Sequence, residues 1–124
     1  MTRAARVLVV DDDLRIGSVI RRTLGAAYLV EFVVDARVAL ARIEGGERFD
    51  VILSDVMMPE MSGVEFHRAL ATAAPDQHAR VIFITGGATD ADAESYLHQS
   101  PNPLVEKPFD LQRLRALVRE VASR

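Results

Sequence analysis

The sequence predicts one α/β domain, doubly wound from five βα units, with a five-stranded parallel sheet and helices on both faces. Short segments made almost entirely of Val, Ile and Leu alternate with longer segments whose apolar residues recur every three to four positions. With 124 residues, of which 49% are hydrophobic and none is Cys, the chain can form one core without disulfides. We find no internal repeat or linker, so we expect a single domain over residues 1–124.

Three of the apolar segments are too short for helices and too apolar for strands with one solvent-exposed face. We therefore expect them to be central strands that are buried on both faces. Two further segments carry weaker strand signals. In chain order, the five predicted strands are Arg6–Val10, Tyr28–Val34, Val51–Leu53, Val81–Ile84 and Leu104–Val105.

The predicted helices are recognised by their apolar faces and by the residues that begin or end them. The first ends at Gly25, and the second covers Ala36–Glu44. For the other three we expect side-chain caps, which are Ser62 with Glu65 in a capping box, Thr89, and Asp110.

Polar residues stand at the predicted carboxyl ends of four strands, where doubly wound sheets bind their ligands. They are Asp11, Asp12 and Asp13 after the first strand, Asp55 after the third, Thr85 after the fourth, and Lys107, the only lysine, after the fifth. Each residue alone has ordinary structural uses, but their combination at one edge indicates a functional site. Because clustered carboxylates repel one another, we expect a divalent cation there, and Mg²⁺ is favoured since it needs only one or two carboxylates.

Composition argues against several classes of function. The chain has 15 basic and 18 acidic residues, a formal net charge of -3, and its basic residues are scattered, so we expect no direct nucleic-acid binding. No apolar run is long enough for a membrane span, and the N-terminus lacks the pattern of a signal sequence, so we expect a cytoplasmic protein. The three histidines show no metal-ligand spacing.

Four segments together resemble the receiver domain of two-component response regulators. They are VLVVDDD at 7–13, LSDVMMPEMSG at 53–63, FITG at 83–86 and EKPF at 106–109. The intervals of 43, 30 and 22 residues that separate Asp12, Asp55, Thr85 and Lys107 are also similar to those of the family. The resemblance covers the whole chain and implies a flavodoxin-like fold and a phosphoacceptor signalling domain rather than an enzyme with a separate substrate.

The resemblance also implies roles for individual residues. Asp55 corresponds to the phosphoacceptor, and the phosphoryl donor would be a sensor histidine kinase or a histidine phosphotransfer domain. The metal ligands would be Asp11, Asp12, Asp55 and the backbone carbonyl of Met57, while Thr85 and Lys107 would contact the phosphoryl oxygens. In the family the bond between this lysine and the following proline is cis, and Pro108 is compatible with that geometry. Asp13 is expected to cap a helix or to act as a nearby charge.

The sequence departs from the family pattern at Leu104, where most members carry a ring that reports phosphorylation. We therefore expect any switch to involve Gly86, Gly87 and the helix that follows. The approach to the fifth strand, Ser100–Pro101–Asn102–Pro103, replaces a Gly-Ala turn and is more similar to receivers attached to hybrid sensor histidine kinases. The last helix reaches Arg124, so we expect no output domain. The sequence is consistent both with a stand-alone receiver and with a piece of a longer protein.

Two other functions remain open at this point. Asp11 and Asp13 have the Asp-x-Asp spacing of haloacid-dehalogenase-like phosphatases, in which the first aspartate is the nucleophile, but this hypothesis leaves Asp55 unused. Alternatively, the domain is a docking module that is never phosphorylated. Leu104 favours this hypothesis, whereas the complete set of acceptor residues argues against it.

Overall fold

The computed structural model describes residues 4–87 and 90–124. Within these residues, strands and α-helices alternate along the chain, except that two helices separate the third and fourth strands. A short 3-10 turn at Gly25–Ala27 follows the first helix. The elements are β1 Ala5–Val10, α1 Leu14–Leu24, β2 Tyr28–Val33, α2 Ala36–Glu44, β3 Val51–Asp55, α3 Gly63–Ala73, α4 Pro75–His78, β4 Val81–Thr85, α5 Ala91–Gln99, β5 Leu104–Glu106 and α6 Leu111–Ala122.

All five strands are parallel and lie in the order β2-β1-β3-β4-β5. The chain moves outward from β1 to β2 and then returns to the other side of β1, so the direction of winding reverses between β1 and β3. In open α/β sheets, the crevice at such a reversal is the usual ligand site. The predicted fold class is confirmed.

Two apolar layers cover the sheet, one on each face. Ile20 of α1 and Leu114 of α6 belong to one buried cluster, while Ile43 of α2, Phe66 of α3 and Ala93 of α5 belong to the other. The central strands β1, β3 and β4 contribute to both clusters because successive side chains point to opposite faces. This explains why their sequences are continuously apolar rather than alternating.

The helix starts follow their predicted chemistry closely. Ser62 and Glu65 form the reciprocal bonds of a capping box, and the Asp110 carboxylate accepts from the backbone at the start of α6, both as predicted. Asp13 caps α1 by accepting from the Arg15 backbone N–H. Thr89, the predicted cap of the next helix, lies outside the described residues, and Asp90 provides the cap of α5.

Four predicted strands match the observed strands to within one residue at each end, whereas the third strand differs more. The third strand continues to Asp55, so the acceptor candidate is the last residue of a buried strand rather than part of the following loop. The short helix α4 was not predicted, and Pro75 occupies its first turn. A proline fits there because its missing N–H would have no partner in the first turn of a helix. Among the described residues, no helix combines the length and apolar character needed to cross a membrane.

Candidate functional site

The sheet brings the predicted carboxylates together at its carboxyl edge. Asp11 and Asp12 follow β1 directly, and Asp55 ends the neighbouring strand β3. One carboxylate oxygen from each of the three lies within 4.8 Å of the other two. Asp11 and Asp55 are buried whereas Asp12 is exposed, so two of these charges have little access to water. We call this group the acidic cluster.

Lys107 reaches the acidic cluster from the end of β5. Its Nζ lies 3.2 Å from Asp11 Oδ2 and 3.9 Å from Asp55 Oδ2. The Lys107 backbone N–H donates to the carbonyl oxygen of Thr85 at 2.7 Å, which fixes the lysine beside the end of β4. The Lys107–Pro108 bond is cis, as the family resemblance implied. The ammonium therefore lies within 4 Å of two of the three carboxylates of the acidic cluster.

Asp11 is held so that one of its oxygens is directed into the site. Its Oδ1 accepts from the Asp13 backbone N–H at 2.9 Å, and its own backbone N–H donates to Val33 O at 3.1 Å. Its Oδ2 is fully buried and makes no hydrogen bond with any described residue, although it lies near Lys107 Nζ. Buried carboxylate oxygens normally accept hydrogen bonds, so this oxygen, which is paired only with the Lys107 ammonium, fits a cation ligand.

The pKa values of the buried carboxylates reflect this crowding. Burial raises the pKa of Asp55 to about 6, the negative charge of Asp11 adds to the rise, and Lys107 and the Met57 backbone N–H oppose it. Burial likewise raises the pKa of Asp11, against a hydrogen bond from Asp13 and the charge of Lys107. The ionised states of Asp11 and Asp55 are thus destabilised in the folded chain. Oxygen donors with surplus negative charge form a suitable site for a divalent cation.

Two glycines allow the backbone to close around the site. The Gly63 N–H donates to Val56 O at 2.9 Å, and a Cβ at this position would overlap the carbonyl oxygen of Asp55 and lie 2.9 Å from Val56 Cα. A Cβ at Gly86 would lie 2.8 Å from Lys107 Cδ. Gly63 therefore lets α3 begin directly against the end of β3, and Gly86 leaves room for the Lys107 side chain.

The remaining predicted residues lie at the same edge. Met57 stands two residues beyond Asp55 in the loop between β3 and α3, and its side chain is 49% exposed. Thr85 ends β4 and lines a cavity together with Lys107. Asp13 lies beside them but is engaged elsewhere, since its carboxylate caps α1 and accepts from the Arg15 side chain at 2.9 and 3.0 Å.

The hydrogen bonds that Asp13 accepts from Arg15 argue against the phosphatase hypothesis. In that chemistry the second aspartate acts as a general acid, which requires a carboxyl group that can carry a proton near neutral pH. Hydrogen bonds from Arg15 lower the pKa of Asp13 instead. The contacts of Asp13 therefore do not fit the general-acid role that the phosphatase hypothesis requires.

The sequence analysis did not single out two further groups of residues. Glu94 and Leu97 of α5 line the cavity beside Thr85, and no local sequence pattern distinguishes them from an ordinary helix face. His67 and His78 stack with ring centroids 3.6 Å apart, although they are separated along the chain. The sequence indicated no metal site for these histidines, and the structure gives His67 structural partners, the Tyr96 hydroxyl and the His78 carbonyl oxygen.

A doubly wound sheet whose carboxyl edge carries three aspartates, a threonine and a lysine defines a class of phosphoryl-accepting signalling domains. The response regulator receiver domain family model matches residues 7–119. The chain belongs to this family, which forms part of two-component signal transduction. Aspartyl phosphorylation and Mg²⁺ binding are typical of its members.

Individual relatives agree with this assignment. The chain is 34% identical over 128 residues to the sensor kinase CckA of Brucella abortus, and 33% identical over 120 residues to the response regulator MprA of Mycolicibacterium vanbaalenii. These alignments cover 100% and 96% of this chain, but only 13% and 51% of those proteins. A CheY-like receiver domain from Methanospirillum hungatei has a similar structure, with a TM-score of 0.82, 28% identity, and coverage of 98% of this chain and 95% of that one.

Proposed function

We propose that Asp55 accepts a phosphoryl group from the phosphohistidine of a sensor histidine kinase or a histidine phosphotransfer domain. The observation that supports this most directly is the acidic cluster, in which Asp55 ends a buried strand between Asp11 and Lys107. The chain then acts as one receiver domain over residues 1–124, in the cytoplasm, and signals through a changed surface. It acts as a phosphoacceptor and not as an enzyme that turns over a separate substrate.

In the proposed reaction, an Asp55 carboxylate oxygen attacks phosphorus as the bond from phosphorus to the histidine nitrogen breaks. The released imidazole keeps the electron pair of that bond and takes a proton from solvent. Phosphoryl transfer requires positioning and positive charge around the phosphoryl oxygens. The β3 strand fixes the nucleophile, and Lys107 provides an ammonium 3.9 Å from Asp55 Oδ2. Thr85, beside Lys107, provides a hydroxyl donor.

The metal ligands would be Asp11, Asp12, Asp55 and the backbone carbonyl of Met57. The fit is supported by the buried Asp11 Oδ2, which accepts no hydrogen bond within the described residues, and by the three converging carboxylates. Mg²⁺ bound there would neutralise charge on the carboxylates and the phosphoryl oxygens. The Asp11 carboxylate is already oriented for this role by the Asp13 backbone N–H.

Leu104 precludes the usual ring-based switch, because a leucine has neither the ring nor a hydroxyl. The change at the surface is instead carried by the segment that follows Thr85 and by α5. Gly86 packs against the Lys107 side chain, so a phosphoryl group that repositions Lys107 also acts on this segment.

Intact-mass spectrometry after incubation with acetyl phosphate and Mg²⁺ tests the proposal. We expect one phosphoryl adduct on the native protein and none when the metal is chelated or in Asp55→Asn. Asp76→Asn is a matched control, since Asp76 lies in α4, which precedes β4 and so lies at the opposite edge of the sheet. This variant should still accept the phosphoryl group.

Two results would contradict the proposal. If neither acetyl phosphate nor a panel of histidine kinases gave an adduct, the docking-module hypothesis would replace it, and partner affinity should then be unchanged in Asp55→Ala. Sustained phosphate-ester hydrolysis that is lost in Asp11→Asn but retained in Asp55→Asn would establish the phosphatase hypothesis instead.

A further inference from the structure

The large apolar side chains that are exposed to solvent fall into two groups in the described part of the chain. Three of them stand at the starts of α1 and α6 and in the loop after β3, so they surround the carboxyl edge of the sheet. The other three are Leu29 of β2, Val34 between β2 and α2, and Val38 of α2, with exposed fractions of 55%, 50% and 50%. The proposed function makes no use of this second group.

The second group lies along one flank of the molecule. β2 is an edge strand whose only neighbour in the sheet is β1. Leu29 is on the same side of β2 as Glu31, which pairs with Arg42 near the end of α2, while Val34 directly precedes the start of α2. Apolar surface therefore extends from one end of α2 to the other. We call this surface the α2 flank, formed by Leu29, Val34, Arg37, Val38, Ala41 and Glu44.

Opposite charges stand at the two ends of the α2 flank. Arg37 and Glu44 are seven residues apart, so they lie on nearly the same line along the helix, about two turns from each other, with Ala41 between them. Glu44 is exposed and has no hydrogen bond or ion pair with any described residue. Arg37 donates to Asp35 through Nε and Nη2, whereas its Nη1 has one contact in the described chain, at 3.8 Å from Glu60. Each end can therefore accept a further partner of opposite charge.

Such a line of residues is complementary to itself when it is reversed. If two copies of α2 pack antiparallel across a two-fold axis, Arg37 of each copy lies opposite Glu44 of the other. The axis passes beside Ala41, whose small side chain permits close approach of the two helices, with Val38 packed next to it. The same rotation brings Leu29 of one copy toward Val34 of the other, so apolar surface meets apolar surface.

We propose that the α2 flank binds a second copy of this chain across a two-fold axis, with the two α2 helices antiparallel. A partner surface of a single charge sign satisfies only one end of the line, whereas a second copy satisfies both. One short helix and a few apolar side chains from each copy form an interface at the small end of the known range, so the dimer is weak, with a Kd on the order of 0.1 mM. The interface does not include the acidic cluster, and dimerisation does not require phosphorylation.

Sedimentation equilibrium of the native protein tests the association. Between about 10 μM and about 1 mM, a range that brackets the expected Kd, we expect a change from monomer to dimer that weakens as NaCl is added. Asp55→Asn should dimerise like the native protein, which separates this inference from the proposed function. A monomer throughout, assembly beyond a dimer, or loss of the dimer in Asp55→Asn would overturn the proposal.

Reversal of the two charges tests the predicted pairing. Arg37→Glu and Glu44→Arg should each weaken the dimer at least about tenfold, because like charges then face each other. The double variant, which carries both substitutions, should dimerise like the native protein. Each change puts an acid in the first turn or a base in the last turn of α2, which the helix dipole favours, so the variants should fold. Native-like dimers of both single variants, or a monomeric double variant, would overturn the proposal.

A single cysteine tests the position of the two-fold axis. The sequence contains no cysteine, so Ala41→Cys introduces one thiol, and in the proposed dimer the two thiols lie close enough for a disulfide. Oxidation with diamide at high protein concentration should join two copies of Ala41→Cys. Ser18→Cys, at an exposed position on α1, is the matched control and should remain mostly unjoined. Equal joining of the two variants would reflect random collision and would overturn the proposed geometry.

Discussion

Two clusters of charged residues lie at opposite edges of the sheet, and they differ in whether their charges balance. Toward the amino edge, Arg6 and Arg42 each pair with both Glu31 and Glu47. The N to O distances to Glu31 are 2.6 Å from each arginine. Those to Glu47 are 3.2 Å from Arg6 and 2.8 Å from Arg42. Both guanidinium groups also lie over the Phe49 ring, at 4.6 and 5.3 Å from its centroid. We call these two arginines and two glutamates the paired cluster. At the carboxyl edge, the three carboxylates of the acidic cluster have one neighbouring ammonium, that of Lys107.

The pKa values show what this difference means. In the paired cluster, hydrogen bonds from Arg42 and Arg6 lower the pKa of Glu47 to about 2, so folding favours its charged state. In the acidic cluster, burial raises the pKa of Asp55 to about 6, so folding disfavours its charged state. The paired cluster is complete without a ligand. The acidic cluster retains a surplus of negative charge, which a divalent cation is suited to offset.

The largest effect is expected where the backbone itself shapes the acidic cluster. Gly63→Ala places a Cβ against the Asp55 carbonyl oxygen and Val56 Cα, two backbone atoms that cannot move aside without displacing β3. We expect the free energy of unfolding, measured in urea, to fall by about 3 kcal/mol. Gly87→Ala is the control, because a Cβ there meets no atom within 4 Å among the described residues. Equal stability of the two variants would mean that the close approach at Gly63 does not constrain the site.

Removing one charge from the acidic cluster should stabilise the metal-free protein. The pKa of Asp55 is raised in the folded state, so at pH 7 its ionisation opposes folding, and this effect is absent at pH values below its unfolded pKa. Asp55→Asn should therefore increase the free energy of unfolding at pH 7 by roughly 2 kcal/mol, measured in urea with a chelator. A decrease would show that the cluster is not electrostatically strained.

The pH dependence of stability separates Asp55 from the buried His67. Burial, together with the neighbouring His78, lowers the pKa of His67 to about 4. Its contribution to stability is therefore present above the unfolded pKa of about 6.5 and is lost as the pH falls toward 4. Asp55 acts in the opposite direction over nearly the same range, because stability is lost as the pH rises through about 6.

This opposition leads to a measurable difference between two proteins. In Asp55→Asn, the free energy of unfolding should rise by roughly 2 kcal/mol between pH 4 and pH 6.5, because the opposing effect of Asp55 on the histidine effect is removed. In the native protein the same curve should be flatter. The curves are measured by urea unfolding at each pH. If they were parallel for the two proteins, Asp55 and His67 would not affect stability in opposite directions.

The sequence predicted the acidic cluster well because its members stand at strand ends. A short apolar segment indicates a buried parallel strand, and the residue after it must lie at the carboxyl edge, so Asp11, Asp55 and Lys107 are placed by local pattern alone. The position of Asp55 within β3 and the short helix α4 were not predicted, since a proline can end one helix and begin another. Such boundaries depend on packing beyond the local sequence.

The paired cluster and the stacked histidines were not predictable in the same way. Arg6 and Glu31 meet because β1 and β2 are neighbours, and Arg42 joins them from a helix above the sheet. His67 and His78 meet because α3 and α4 turn back on each other. These contacts follow from the orientation of whole elements, which residue spacing does not encode.

The smallest effect is expected when the paired cluster is broken. Arg42→Met keeps most of the apolar stem of the side chain but removes its bonds to Glu31 and Glu47, and Arg6 remains to pair with both carboxylates. Because the cluster is partly solvated, the free energy of unfolding should fall by only about 1 kcal/mol, and the loss should shrink at high salt. Arg37→Met is the matched control on α2, since Arg37 is more exposed and pairs with Asp35, and it should change stability less. If Arg42→Met instead stabilised the protein as Asp55→Asn is expected to do, both clusters would be electrostatically strained, and surplus charge would no longer distinguish the functional edge of the sheet from the structural one.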